Sequence, residues 1–234
     1  MARTETLEQC EREGRRRLYP RLSNTSYLVL RKRREHFERW AKDLPPSDLR
    51  VLDVGGRIQP YRPLLDGRVQ QYVALDLVAA PLSDVRANAY TLPFKEAVFD
   101  LVLCTQVLEY LPDPNLALQE IYRVLKPAGT LWLSVAAFYP RATDEEHWRF
   151  LPAGLRHLLR GFRSVEIKPE GSTVSGSFRA FAVCLTMLAK FPSLQNLIAF
   201  TIVPALNLSA RALEWVANTN NDQATGNYSV LARK

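Results

Sequence analysis

The run Arg50-Val51-Leu52-Asp53-Val54 ends directly on the pair Gly55-Gly56. A short, continuously apolar run of this kind fits a strand buried on both faces of a sheet. Paired glycines at its end let backbone approach a ligand closely. Comparable runs recur at residues 71–75, which end on Asp76, at 99–104, 130–135, 164–168 and 228–232, with a weaker one at 84–86. Between them the spacing predicts helices over 115–125, with Asp113 as N-cap and Pro114 in first position, and over 152–160. Lys126-Pro127-Ala128-Gly129 reads as a turn. Apolar strands alternating with helices predict an α/β fold, a doubly wound sheet covered on both faces. Ligands in such sheets bind beyond the carboxyl ends of the strands, where the strand order switches.

Two flanking regions behave differently. Residues 26–43 carry an apolar stripe of Leu28, Leu30, Phe37 and Trp40 opposite a basic cluster, and Pro45-Pro46 closes the segment. Residues 1–46 are therefore expected to be an N-terminal helical extension. The sheet domain is expected over 47–177 and 226–234, with 178–225 a helical cap inserted before the last strand. Residues 178–217 are strongly apolar, but Lys190, Pro192, Asn196 and Pro204 interrupt them. That makes a poor bilayer span, which needs roughly 20 uninterrupted apolar residues. A packed cap is expected, with a helix lying on a membrane surface as the alternative.

The net charge of +7 gathers at Arg12, Arg15, Arg16, Arg17, Arg21 and the run 31–34. A solvated helix face is the simplest reading of that cluster. Three scattered cysteines and no CxxC pair exclude a disulfide framework and a zinc site, which points to a reducing, cytoplasmic setting. The polar N-terminus carries no signal-peptide pattern.

The glycine spacing in Asp53-Val54-Gly55-Gly56-Arg57 fails the dinucleotide pattern G-x-G-x-x-G. The acid about 20 residues later is present as Asp76, and a carboxylate there suits any adenosine ribose. The whole stretch resembles the class I, Rossmann-like S-adenosylmethionine-dependent methyltransferases. Their first motif is a strand followed by Asp-x-Gly-x-Gly. Tyr72-Val73-Ala74-Leu75-Asp76 resembles the second motif, and Asn88-Ala89-Tyr90-Thr91-Leu92-Pro93-Phe94 resembles the adenine loop. The segment 99–109 matches the strand 4 motif, and 120–129 the turn into strand 5. The ordered set spans residues 50–168, with 228–234 similar to the family's final antiparallel strand.

The resemblance implies S-adenosylmethionine as cofactor and S-adenosylhomocysteine as product. It implies that Gly55 and Gly56 meet the cofactor's amino-acid end, and that Asp53 orients that turn or reaches the ammonium through water. Asp76 and Leu77 would lie at the ribose. Asn88, Ala89 and Tyr90 would lie at the adenine, and Cys104, Thr105 and Gln106 along the methionine. Three departures stand out. Arg57 replaces a glycine, so it must point away, fill cofactor space or pair with the cofactor carboxylate. Asn88 replaces an aspartate. The link at 77–83 is too short for a helix.

The acceptor side is expected after strand 5, in the segment 138–150. His147 is the candidate general base, since its ordinary pKa suits proton transfer near neutrality. Tyr139, Glu146 and Arg149 are candidate acceptor contacts. No Asn/Asp-Pro-Pro-Tyr signature follows strand 4, which argues against DNA bases. The expected activity is methyl transfer to a small metabolite, sugar or lipid-linked acceptor, at oxygen. The alternative is a cofactor-binding regulatory protein that has lost transfer, for which Arg57 is the main support. RNA ranks below both, because no RNA-binding module is appended.

Overall fold

The computed structural model describes residues 5–141, 143–217 and 221–234. The sheet has seven strands: β1 (Leu49–Val54), β2 (Val69–Asp76), β3 (Val85–Arg86), β4 (Phe99–Thr105), β5 (Leu125–Ala136), β6 (Ser164–Pro169) and β7 (Asn227–Arg233). Their order is β3-β2-β1-β4-β5-β7-β6. β7 runs antiparallel to both its neighbours, and the other pairings are parallel. This is the doubly wound, Rossmann-like arrangement with a final antiparallel strand that the motif order implied.

Alternate residues of β1 and β4 face opposite layers, as the pleat requires. Val51, Leu101 and Leu103 pack on one face with Trp132, Phe37 and Trp40, whereas Leu52, Val54, Val102 and Cys104 pack on the other. The second face is covered by α3 (Pro114–Val124) and α4 (Pro152–Leu158). Asp113 caps α3 as expected, accepting from the amides of Asn115 and Leu116 at 3.0 and 3.3 Å.

The first face is covered in an unexpected way. Among the described residues, β1 and β2 are joined without an α-helix. A single 3-10 turn, Arg62–Leu65, stands there. Pro60 and Pro63 lie in this short link and discourage a continuous helix. The layer is supplied instead by α2 (Tyr27–Ala41), whose Phe37 ring lies 5.1 Å from Trp132 and 4.8 Å from Tyr61. The N-terminal segment thus covers one face of the sheet. Ahead of it, α1 (Leu7–Leu18) opens on a capping box between Thr6 and Gln9.

The link between β2 and β3 holds no helix, as its length predicted. The expected turn at 126–129 lies inside β5 as an irregularity in the β4 pairing, with Ala128 in the left-handed region. Before the last strand come α5 (Thr173–Leu188), α6 (Pro192–Phe200) and α7 (Ile202–Ala217). They share a small core of Ala182, Ala189, Ile198 and Val203. Residues 218–220 of the expected cap lie outside the described residues.

Candidate active site

A cavity of about 740 Å³ opens beyond the carboxyl ends of β1, β2, β4 and β5. That is the switch point of the sheet, and the volume is ordinary for a small-molecule site. Its wall includes Gly55, Arg57, Asp76, Leu77, Asn88, Ala89, Thr105, Gln106, Tyr139 and Glu146. Ten of the residues expected from sequence therefore meet in one place.

At the outer end, the glycine turn provides room rather than free donors. The amides of Gly55 and Gly56 both donate to the Leu75 carbonyl, at 2.8 and 3.1 Å. Gly55 has φ 77°, and a Cβ there would come within 2.3 Å of Val107 Cγ2. Asp76 ends β2 with Oδ1 accepting from the Val78 amide at 3.0 Å. Asn88 Oδ1 accepts from the Tyr90 amide at 3.0 Å, which shapes the turn and holds the Asn88 side chain on the wall. A carboxylate and an amide on the same open wall suit an adenosine, so the residues present fit the expected cofactor.

Several expected residues do not reach the cavity wall. Asp53 is buried beneath the turn and accepts from the Tyr72 hydroxyl at 2.7 Å. Burial raises its carboxyl to about 7, with the Tyr72 hydrogen bond opposing and the Asp76 charge adding. Asp53 supports the turn from below: a Cβ at Gly56 would lie 2.8–2.9 Å from Asp53 atoms. Cys104 is fully buried in the sheet core, where burial pushes its thiol up. Tyr90 turns away, its hydroxyl accepting from the Asp113 amide at 3.0 Å. Arg149 stands behind the wall, donating to Glu146 at 2.6 Å and to the Tyr139 carbonyl at 3.3 Å.

His147 is off the cavity as well. Its backbone amide donates to the Glu109 carbonyl at 2.7 Å, and its side chain is exposed. The loop after β5 is pinned by that amide, so the imidazole faces solvent. A buried carboxyl that lies on the cavity wall near these residues is Glu109, just after β4. Glu109 is 1% exposed. Its Oε1 accepts from the Ala136 amide and from Gln106 Nε2, while Oε2 is buried with no hydrogen-bond partner among the described residues. Burial raises this carboxyl to about 7, against the pull of the backbone amides and of Arg33 and Arg149. Sequence reading passed over Glu109 as part of a strand motif; a carboxylate one turn past a strand end at the switch point was the available signal.

Arg57 points across the mouth, where it pairs with Glu5 just ahead of α1 and lies 4.0 Å from Glu13 of α1. Gly14 lets α1 come this close, since a Cβ there would sit 2.3 Å from the Ile58 carbonyl oxygen. Glu13, Arg16 and Arg17 of α1 thereby join the wall. On the same wall, the buried Arg33 of α2 makes a bidentate pair with Glu170 at 2.9 and 2.8 Å and donates to the Tyr61 hydroxyl at 3.2 Å. Glu170 also accepts from Ser134 and Ser229, both at 2.6 Å. This buried network ties α2, β5 and β7 to the residue that follows β6.

Comparison with known proteins agrees with this geometry. Residues 52–133 match the model of a family described as a methyltransferase domain. An uncharacterized methyltransferase of Mycobacterium sp. (strain KMS) is 29% identical over 136 residues, covering 54% of this chain and 52% of that protein. The chain thus spans about half the length of that relative. A ubiquinone biosynthesis O-methyltransferase of Xanthomonas oryzae pv. oryzae is 40% identical over 75 residues, covering 30% of this chain and 31% of the relative. A solved S-adenosylmethionine-dependent methyltransferase from Archaeoglobus fulgidus shares the fold, with a TM-score of 0.52 at 20% identity over 86% of this chain and 94% of that one. The strand order, the switch-point cavity and the ordered motifs agree with these matches: residues 52–133 carry a methyltransferase domain, set in the Rossmann-like fold of the class I S-adenosylmethionine-dependent methyltransferases.

Proposed function

We propose that this protein transfers a methyl group from S-adenosylmethionine to an oxygen of a small metabolite, sugar or lipid-linked acceptor, with Glu109 receiving the acceptor's proton. The observation that carries this reading is one cavity that has Asp76, Asn88 and the buried Glu109 together on its wall. The bound cofactor supplies a methyl on an already activated sulfonium. The residues of this chain have to hold the nucleophile in line and exclude water, and alignment alone can be worth roughly 7–11 kcal/mol. Asp76 is assigned to the ribose, Asn88 and Ala89 to the adenine, and Thr105 and Gln106 to the methionine portion. Glu109, with a pKa near the working pH, is poised as a base and takes the role expected of His147. The pairing of Arg57 with Glu5 and Glu13 gives that residue a place at the cavity mouth, which weakens the binding-only alternative.

A lipid-linked acceptor is supported by the outer face of α5, α6 and α7. Phe181, Leu188, Phe191, Phe200 and Trp215 are exposed there. The stretch Pro192–Val216 is long and apolar enough to cross a membrane, with 22% of its most apolar window buried. Such a face suits shallow contact with a bilayer surface. Cosedimentation with anionic phospholipid vesicles checks this part alone.

The main reading is tested by calorimetry with S-adenosylhomocysteine. Micromolar binding that is lost in Asp76→Ala is expected. In acceptor screens followed by release of S-adenosylhomocysteine, Glu109→Gln is expected to cut turnover roughly 10²–10⁴-fold while cofactor affinity holds. Absence of binding at millimolar ligand would sink the assignment.

A further inference from the structure

We propose that the inner end of the cavity is an anion subsite built on Arg179, so that the acceptor carries a carboxylate or phosphate as well as its nucleophile. The inference rests on the assignment of this cavity as the transfer site.

Arg179, on α5, is 8% exposed and lies on the cavity wall. Its Nε donates to Ser26 Oγ at 3.1 Å and its Nη1 to Asn227 Oδ1 at 2.6 Å. Its guanidinium sits 4.0 Å from the centre of the Tyr139 ring. All three partners are neutral. Among the described residues, no carboxylate lies within ion-pair distance of Arg179. Glu170 acts on it only from farther away and is already engaged by Arg33. The contrast with Arg33 is direct: both guanidiniums are buried, and one has a bidentate carboxylate while the other has none. A buried charge without a counter-ion is costly, and burial here lowers Arg179 to about 10. An arginine fork presented to a cavity matches a planar carboxylate or a phosphate. Tyr139 fixes the plane of the fork by stacking, and Ser26 and Asn227 fix its rotation.

Two further features agree. Arg16 and Arg17 of α1 line the same cavity and add positive field at its mouth. Asn227 Nδ2 donates to Gln106 Oε1 at 3.0 Å, and Gln106 Nε2 donates to Glu109 Oε1 at 3.2 Å. Every donor in the chain Arg179–Asn227–Gln106–Glu109 points from the cation toward the carboxyl. An acceptor anchored by its anion at Arg179 therefore has its anchor coupled, through two amides, to the group that takes its proton.

The test uses the full chain and needs no turnover. Thermal unfolding is followed in millimolar inorganic phosphate and, separately, in millimolar acetate, with ionic strength balanced by sodium chloride. A ligand of the folded state raises the midpoint by mass action. One or both anions are expected to stabilise the wild type, and which one does so identifies the acceptor's anionic group. The apparent affinity should fall about tenfold in Arg179→Gln, the loss of one charge-assisted contact. If that variant does not fold, Arg179→Lys, which keeps the charge without the fork, should show a weakened response. Equal responses of wild type and variant, or no response to either anion, overturn the subsite. Calorimetry with S-adenosylhomocysteine is run beside it. Cofactor binding without an anion response leaves the transfer reading standing and removes this inference. An Arg179-dependent anion response without cofactor binding does the reverse.

Discussion

Replacing Glu109 with Gln should make the protein more stable at alkaline pH than the wild type, and the size of the effect can be worked from the burial of this carboxyl. An acid whose pKa is raised in the fold holds its proton more tightly folded than unfolded. The penalty for burying its ionised form is absent below the ordinary value of 4.5, develops as pH rises, and is complete above about 7. At 1.36 kcal/mol per pH unit, that interval corresponds to about 3 kcal/mol. Glutamine keeps the shape and the acceptor for Ala136 and Gln106, and places an amide where Oε2 has no partner. Loss of the negative charge removes the pH-dependent part and leaves a constant offset. Asp53 titrates over the same interval in both proteins, so the difference isolates position 109. The assay is urea or thermal unfolding of both proteins from pH 5 to pH 8. The stability difference should shift toward the variant by up to about 3 kcal/mol, or roughly 6–12 °C for a chain of this size. Parallel pH profiles would refute the argument that burial, rather than a neighbouring charge, governs Glu109.

Three further perturbations probe the supports of the site. Arg33→Met leaves Glu170 buried without its cation and should cost about 3–5 kcal/mol in urea unfolding, with much of that restored when Glu170→Gln is added; a single variant as stable as the wild type would mean the pair is not buried. Gly14→Val must displace α1 from the Ile58 carbonyl, so it should cost about 1–3 kcal/mol and weaken S-adenosylhomocysteine binding by opening the mouth; unchanged affinity would detach α1 from the site. Arg57→Met removes partly exposed ion pairs and should change stability by no more than about 1 kcal/mol while speeding amide exchange across α1; unaltered exchange would mean the pairs do not hold the helix.

Much of the cavity wall beyond β1, β2 and β4 was legible in the chain because it is written in local pattern. Apolar runs of strand length name the strands, and the residues that end them, Asp76 and Thr105, fall on the cavity wall by the geometry of a parallel sheet. Asn88 and Ala89 followed from an ordered motif. The side formed after β5 was harder to read because it depends on where a loop turns. His147 has suitable chemistry, yet its backbone amide is held by the Glu109 carbonyl and its ring faces water. Glu109 looked like one more residue of a strand motif until the fold buried it beside Ala136.

By itself, then, the sequence determined the sheet, its doubly wound order and the methyltransferase-domain motifs, since side-chain periodicity and glycine placement act over a few residues. Tertiary structure alone decided that α2 covers the sheet where no helix follows β1, that Arg57 reaches back to the N-terminal segment, and that Arg33 finds Glu170 at a separation of 137 residues while Arg179 finds no carboxylate among the described residues. Those outcomes turn on which charges are left facing each other once the layers pack. Burial then decides which of them need a partner, and no local pattern carries that information.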